Sequence, residues 1–179
     1  MSDAPFDFNN LYAEENAAMQ AFLADKGALG LYHCGSSLNW DFARPTIEWL
    51  IAHPECPKAI ASNIFWKSGV EFIVSNPDDE FAQDRVITDA ILNRWKGEGF
   101  PSFGWGDPEP EETRYELDYY HKSAGVIATG NPLGIPDDLL KLIEGPIPDR
   151  PPTLDPLKNQ ELHAIFDELG TYFGGEPGE

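Results

Sequence analysis

Apolar residues recur at helical spacing over much of the chain. Residues 8–25 are rich in Ala, Glu, Leu and Met and contain no Gly or Pro, which predicts a helix. Within residues 81–95, Ile87, Ile91 and Trp95 are four residues apart and therefore share one helical face. Segments of this kind predict a mainly α fold: a single compact multi-helix domain of about six helices.

End signals predict the other helices. Each begins at a capping or helix-compatible residue, such as Asp41 or Pro57, and most carry an apolar face. These helices are expected at 41–52, 57–68, 111–123, 136–144 and 155–173. The domain is expected to span residues 1–173, with residues 174–179 as a disordered tail.

Two segments lack a helical period. Residues 29–40 are interrupted by Gly and Ser, which predicts a loop with a short extended piece at 29–33. Residues 70–74 are compatible with a short strand or with a helical turn, because five mixed residues do not settle the period. A minor strand element therefore stays open.

Residues 97–110 contain four Gly and three Pro, which predicts a long loop. The loop also carries Phe100, Phe103 and Trp105, which are costly to leave in water. It should either pack on the domain or present its aromatic side chains to a partner, and packing is the favoured interpretation.

The net charge limits the classes of partner that the protein can bind. The 179 residues carry 31 acids against 12 Lys and Arg, a formal net charge of -19. Residues 1–100 hold 15 acids and 7 bases, and residues 101–179 hold 16 and 5, so the acidity is global. Such a field disfavours nucleic acids and anionic membranes and favours basic proteins as partners.

The sequence begins without a basic segment followed by an apolar stretch, and it contains no apolar run of membrane-spanning length. We therefore expect a cytoplasmic protein. Its two cysteines, Cys34 and Cys56, are too few for a disulfide scaffold and are expected to be free thiols.

Two histidines lie beside these cysteines, as His33-Cys34 and His53-Pro-Glu-Cys56. The four side chains are ligand types of a zinc site, but adjacent residues such as His33 and Cys34 seldom bind the same ion. They could also supply a thiol nucleophile and its base. No hydrolase, phosphate-loop, dinucleotide or zinc-protease motif occurs in the chain, so we expect no metal and no cofactor.

The densest acidic stretch runs from Asp107 to Asp118, interrupted among charged residues only by Arg114, and it is accompanied by tyrosines. Carboxylates can steer a basic partner while aromatic rings supply buried anchors. The alternative is a solvated helix face with its tyrosines in the core. The candidate partner-binding residues are Trp105, Asp107, Glu109, Glu111, Glu112, Tyr115, Glu116, Asp118 and Tyr119.

A motif in the first half resembles a bacterial family called domain of unknown function 4274. The residues that carry it are Asn39-Trp40-Asp41, Pro45, Ile47, His53-Pro54-Glu55-Cys56 and Ile64-Phe65-Trp66. The resemblance implies a bacterial protein with a helical core, and it brings no activity and no catalytic residues.

The leading functional hypothesis is an acidic protein-binding module, such as an inhibitor or immunity-type protein that masks a basic partner. One alternative is a metal-dependent or thiol enzyme that uses His33, Cys34, His53 and Cys56. Another is a structural or regulatory helical domain. Catalysis is the less favoured class, and the sequence does not settle the oligomeric state.

Overall fold

The computed structural model describes residues 8–38, 43–80 and 85–154. These ranges contain eight α-helices, one 3₁₀ turn and no strand, which confirms the mainly α prediction. The helices are α1 (Phe8–Leu23), α2 (Gly27–Gly35), α3 (Arg44–Ala52), α4 (Lys58–Lys67), α5 (Val70–Ser75), α6 (Val86–Lys96), α7 (Pro110–Lys122) and α8 (Ala124–Thr129), with the 3₁₀ turn at Pro152–Leu154. Asp41, the predicted helix 155–173 and the tail 174–179 lie outside the described residues.

Helix α4 lies at the centre of the fold. Every residue from Ala59 to Trp66 is buried, and α4 contacts α2, α5, α6 and α7. A helix that is enclosed on all sides needs no polar face, which explains the run Ile64-Phe65-Trp66. The buried apolar residues around it belong to one hydrophobic core.

The prediction of a loop at residues 29–40 is wrong for residues 29–35, which belong to α2 (Gly27–Gly35). Residues 36–38 are non-helical as predicted, and residues 39–40 lie outside the described ranges. Six consecutive residues of α2, from Gly30 to Gly35, are buried, so no polar face marks a period of 3.6 in the sequence. Gly35 permits close packing: a Cβ there would lie 2.9 Å from Ile60 Cγ2 and 3.0 Å from Leu50 Cδ1. Tertiary burial therefore selects the helix despite three glycines.

The prediction of a helix at 136–144 is also wrong. One turn forms, in which the N–H groups of Leu139 and Leu140 both donate to the carbonyl of Pro136. The chain then leaves the helical path because Ile143 and Pro146 accept backbone hydrogen bonds from the loop that precedes α7. This backbone pairing outweighs the capping signals that predicted a helix at 136–144.

The two short helices α5 and α8 were not predicted as such. Val70–Ser75 is helical, so the strand alternative for residues 70–74 is wrong. Helix α8 (Ala124–Thr129) is capped by Ser123, whose Oγ accepts a hydrogen bond from Val126 N at 3.4 Å. Both helices pack against α7 and against each other.

The predicted loop at 97–110 is present up to α7, and it packs on the domain. Phe100 is buried in the core. Gly106 lies against the backbone of residue 145, where a Cβ would collide with the Gly145 carbonyl oxygen. Tyr32 Oη donates a 2.8 Å hydrogen bond to the Gly106 carbonyl, which fixes the end of the loop to α2.

In the part of the chain that the structure describes, no helix is long and apolar enough to cross a membrane.

Candidate functional site

Helix α7 has one buried and one exposed side. Thr113, Leu117 and Tyr120 are buried against α4 and α5. Tyr115 and Tyr119 lie on the opposite side and are 62% and 51% exposed. Their rings stack with centroids 5.7 Å apart and an interplanar angle of 24°. We call this side the acid–aromatic face, formed by the exposed or half-buried residues Glu111, Glu112, Tyr115, Glu116, Asp118 and Tyr119.

The exposure of Tyr115 and Tyr119 contradicts the interpretation in which the tyrosines of the acidic stretch lie in the core. Two large rings that remain more than half exposed are not part of the core, although Tyr120 next to them is. Mutual stacking restricts both rings before any partner arrives, and this reduces the entropy lost on binding.

Carboxylates from two helices surround Glu116. Burial raises the pKa of its half-buried carboxyl, and the nearby charges of Glu112 and Glu71 raise it further. Glu71 is contributed by α5, which packs against α7. The face is therefore negative beyond what α7 alone supplies.

Cations of the same chain compensate part of this charge. Lys67 Nζ lies 2.5 Å from Glu109 Oε2 and 3.4 Å from Glu112 Oε2. Arg114 Nη1 lies 2.7 Å from Glu111 Oε1 on the surface. Asp118 is only loosely paired, with Lys122 Nζ at 4.0 Å. The pairs of Arg114 and Lys122 are exposed and therefore weak, so they leave Glu111 and Asp118 available for other contacts, whereas the Lys67 side chain is only 16% exposed.

Asp107 does not belong to the exposed face. It is 2% exposed, and its Oδ1 accepts hydrogen bonds from Glu109 N at 2.8 Å and from Asn63 Nδ2 at 3.2 Å. Burial raises the pKa of its carboxyl, and these hydrogen bonds oppose the rise. Its place in the structure is that of a polar link between α4 and the start of α7.

Trp105 also lies apart from the acid–aromatic face. It is half-buried, packs edge-on against Tyr32 at 5.3 Å and stacks with Phe103 at 4.9 Å. Phe103 is 43% exposed. Trp105 thus packs on Tyr32 of α2, and Phe103 packs on Trp105 within the loop.

The four candidate ligands or nucleophiles lie in environments that do not favour either role. Burial raises the pKa of the Cys34 thiol to about 11 and that of the Cys56 thiol to about 12, whereas a thiol nucleophile needs a lowered pKa. His33 is buried, and burial lowers its pKa. The His53 ring packs against the Trp49 ring, with centroids 5.1 Å apart. Among the described residues, no group of three His, Cys, Asp or Glu side chains is arranged to hold a metal ion.

The sequence contained no signal that Lys67 and Glu71 lie beside the acidic residues of α7. Lys67 and Glu71 belong to α4 and α5, about 40 residues before α7. They reach α7 only through the packing of these helices, which a local pattern does not report.

Comparison of the chain with protein-family models, curated proteins and solved structures gives no match. The resemblance to domain of unknown function 4274 therefore stays a prediction from the motif. In that motif, Cys56, Phe65 and Trp66 are buried, and residues 53–57 form the turn between α3 and α4.

Proposed function

We propose that the protein is an acidic protein-binding module of the inhibitor or immunity type, which docks a basic partner protein on the acid–aromatic face of α7. The observation that carries the proposal is the exposed, stacked pair Tyr115 and Tyr119 among carboxylates. Tyrosines are enriched among residues that dominate interface energies, because they bury a large ring and retain a polar end.

Charge supports a basic partner in two ways. The net charge of -19 attracts a basic protein over a distance and raises the rate of encounter. At contact, Lys or Arg side chains of the partner can lie over a tyrosine ring and pair with a neighbouring carboxylate such as Glu111 or Asp118. Attraction over a distance and recognition at contact thus act on the same class of partner.

The test is capture of partners by the full chain from the native cytoplasm at low salt, compared with the double variant Tyr115→Ala/Tyr119→Ala. We expect one basic protein to be retained by the native chain, and its retention to fall at least tenfold with the variant. Ile147→Ala is the matched control, because this side chain is 55% exposed and lies outside α7. For an inhibitor, the captured protein's own activity should fall when the chain is added.

A second comparison separates the face from the overall field. Glu111→Gln/Asp118→Asn and Asp78→Asn/Asp137→Asn each remove two exposed negative charges, and only the first pair lies on the face. The first pair should slow association and reduce its salt dependence more than the second. Equal effects of both pairs, unchanged capture by the tyrosine variant, or no partner at low salt would contradict the proposal.

A further inference from the structure

A cavity of about 310 Å³ opens where the start of α4, the end of α6 and the turn at 136–138 meet. Its volume lies at the lower end of the range found for small-molecule binding sites. It shares no residue with the acid–aromatic face, so it is independent of the proposed function.

Aromatic rings form one wall of the cavity. Trp95 and Phe100 both line it, with ring centroids 5.7 Å apart. Phe100 is buried and Trp95 is packed against the core, so the wall is held in place. A planar ring is the ligand group that such a wall accommodates best.

Three charged side chains line the same cavity: Lys58, Lys96 and Asp138. Lys58 Nζ lies 2.6 Å from Asp138 Oδ2 and 4.7 Å from the centre of the Trp95 ring. Trp95 Nε1 donates to the other oxygen, Asp138 Oδ1, at 3.0 Å. Both oxygens of Asp138 are thus engaged by donors of the protein.

Lys96 is different, because it makes no ion pair within the described ranges. Its ammonium lies near the 131–136 turn, where a Cβ on Gly134 would be 3.5 Å away. The cavity is therefore lined by two ammonium groups and one carboxylate, a net positive charge in a chain whose net charge is -19. The exposed Lys96 ammonium can pair with a ligand, whereas Lys58 is already paired with Asp138. A local positive site in such a chain favours an anionic ligand group over a cationic one.

We propose that this cavity binds a small aromatic carboxylate, with its ring against Trp95 and Phe100 and its carboxylate toward Lys96. The ring buries apolar area on the aromatic wall. The carboxylate replaces water at the exposed Lys96 ammonium with a charge-assisted hydrogen bond. An uncharged ring of the same shape gains the burial of apolar area but not the contact with Lys96.

The test is titration of the full chain with benzoate, followed by the indole N–H resonance of Trp95, which the Trp95→Phe variant identifies. We expect a saturable shift of this resonance. Benzamide, the uncharged counterpart, and inorganic phosphate, which lacks the ring, should each bind at least about threefold more weakly, as expected for loss of an ion pair or of ring burial.

Lys96→Met should weaken benzoate binding about three- to fivefold, the effect of one exposed ion pair. Lys141→Met is the matched control, because Lys141 is exposed and does not line the cavity. Four outcomes would overturn the proposal: no saturable shift, equal binding of benzamide, equal binding of phosphate, or equal effects of the two lysine variants.

Discussion

Asp107 shows how much a single residue can depend on its surroundings. Its Oδ1 accepts hydrogen bonds from α4 and from the start of α7, while its Oδ2 has no hydrogen-bond partner in the described part of the chain. Glu109 is the titratable group whose charge acts on Asp107, and Lys67 pairs with Glu109. Burial and the Glu109 charge raise the pKa of Asp107. Burial also raises the pKa of Tyr32, to about 12, and the nearby charge of Asp107 contributes to that rise.

The raised pKa of Asp107 predicts a specific pH dependence of stability. Because its folded-state pKa lies above the unfolded value, the stabilising contribution is complete below the unfolded pKa and is lost as pH rises through the folded pKa. Asp107→Asn removes this titration. The free energy of unfolding of the native chain minus that of the variant should therefore fall as pH rises from 4 to 7, measured by urea denaturation.

A difference that rises over this pH range would contradict the burial of Asp107. As a second variant, Asp107→Ala should lower the free energy of unfolding by about 2–3 kcal/mol at pH 4, since the buried donor of Asn63 and the Glu109 N–H lose their acceptor. Its cost should decrease as pH rises, because it removes the same titration as Asp107→Asn. Asp118→Ala is the matched control, because it removes an exposed aspartate carboxyl from the same helix.

At the scale of elements, helix α3 is stabilised at both ends by residues of other helices. Asn16 Oδ1, from α1, accepts hydrogen bonds from Thr46 N at 3.1 Å and Thr46 Oγ1 at 2.6 Å in the first turn. Arg94, from α6, donates to the carbonyls of Ile51 at 2.7 Å and His53 at 2.8 Å at the other end. These contacts link α3 to its neighbours as well as capping it.

Replacing Arg94 tests this element-level role. Arg94→Met removes charge-assisted hydrogen bonds to the end of α3 and should lower the free energy of unfolding by about 2–4 kcal/mol. Arg114→Met removes an exposed pair with Glu111 and should cost less than about 0.5 kcal/mol. Urea denaturation of both variants measures the contrast, and equal costs would contradict a capping role for Arg94.

At the scale of the whole molecule, the net charge of -19 opposes the compact state. Salt screens this repulsion, so raising NaCl from about 20 to 200 mM should increase the melting temperature. Each kcal/mol gained corresponds to roughly 2–4 °C for a chain of this size. KCl should act like NaCl if screening is the cause, and a melting temperature that falls with salt would show that ion pairs outweigh the repulsion.

The acid–aromatic face was predictable in part. The sequence placed Tyr115 and Tyr119 one turn apart among acids, and this spacing leads directly to their stacking. It gave no means to decide that these two rings are exposed while Tyr120 is buried, because exposure depends on where α4 and α5 lie. Nor did it show that Asp107, in the same acidic stretch, is buried.

What the sequence by itself determined is the helical class, the positions of α1, α3, α4, α6 and α7, the loop at 97–110 and the net charge. These follow from local propensity, end signals and composition, which act within a few residues. Only the tertiary structure decided that α2 is a helix and that residues 136–144 are not. Burial against other helices outweighs local preference in α2, and backbone pairing with the loop before α7 outweighs it in residues 136–144. Both effects come from residues far apart in the chain, which a local pattern does not report.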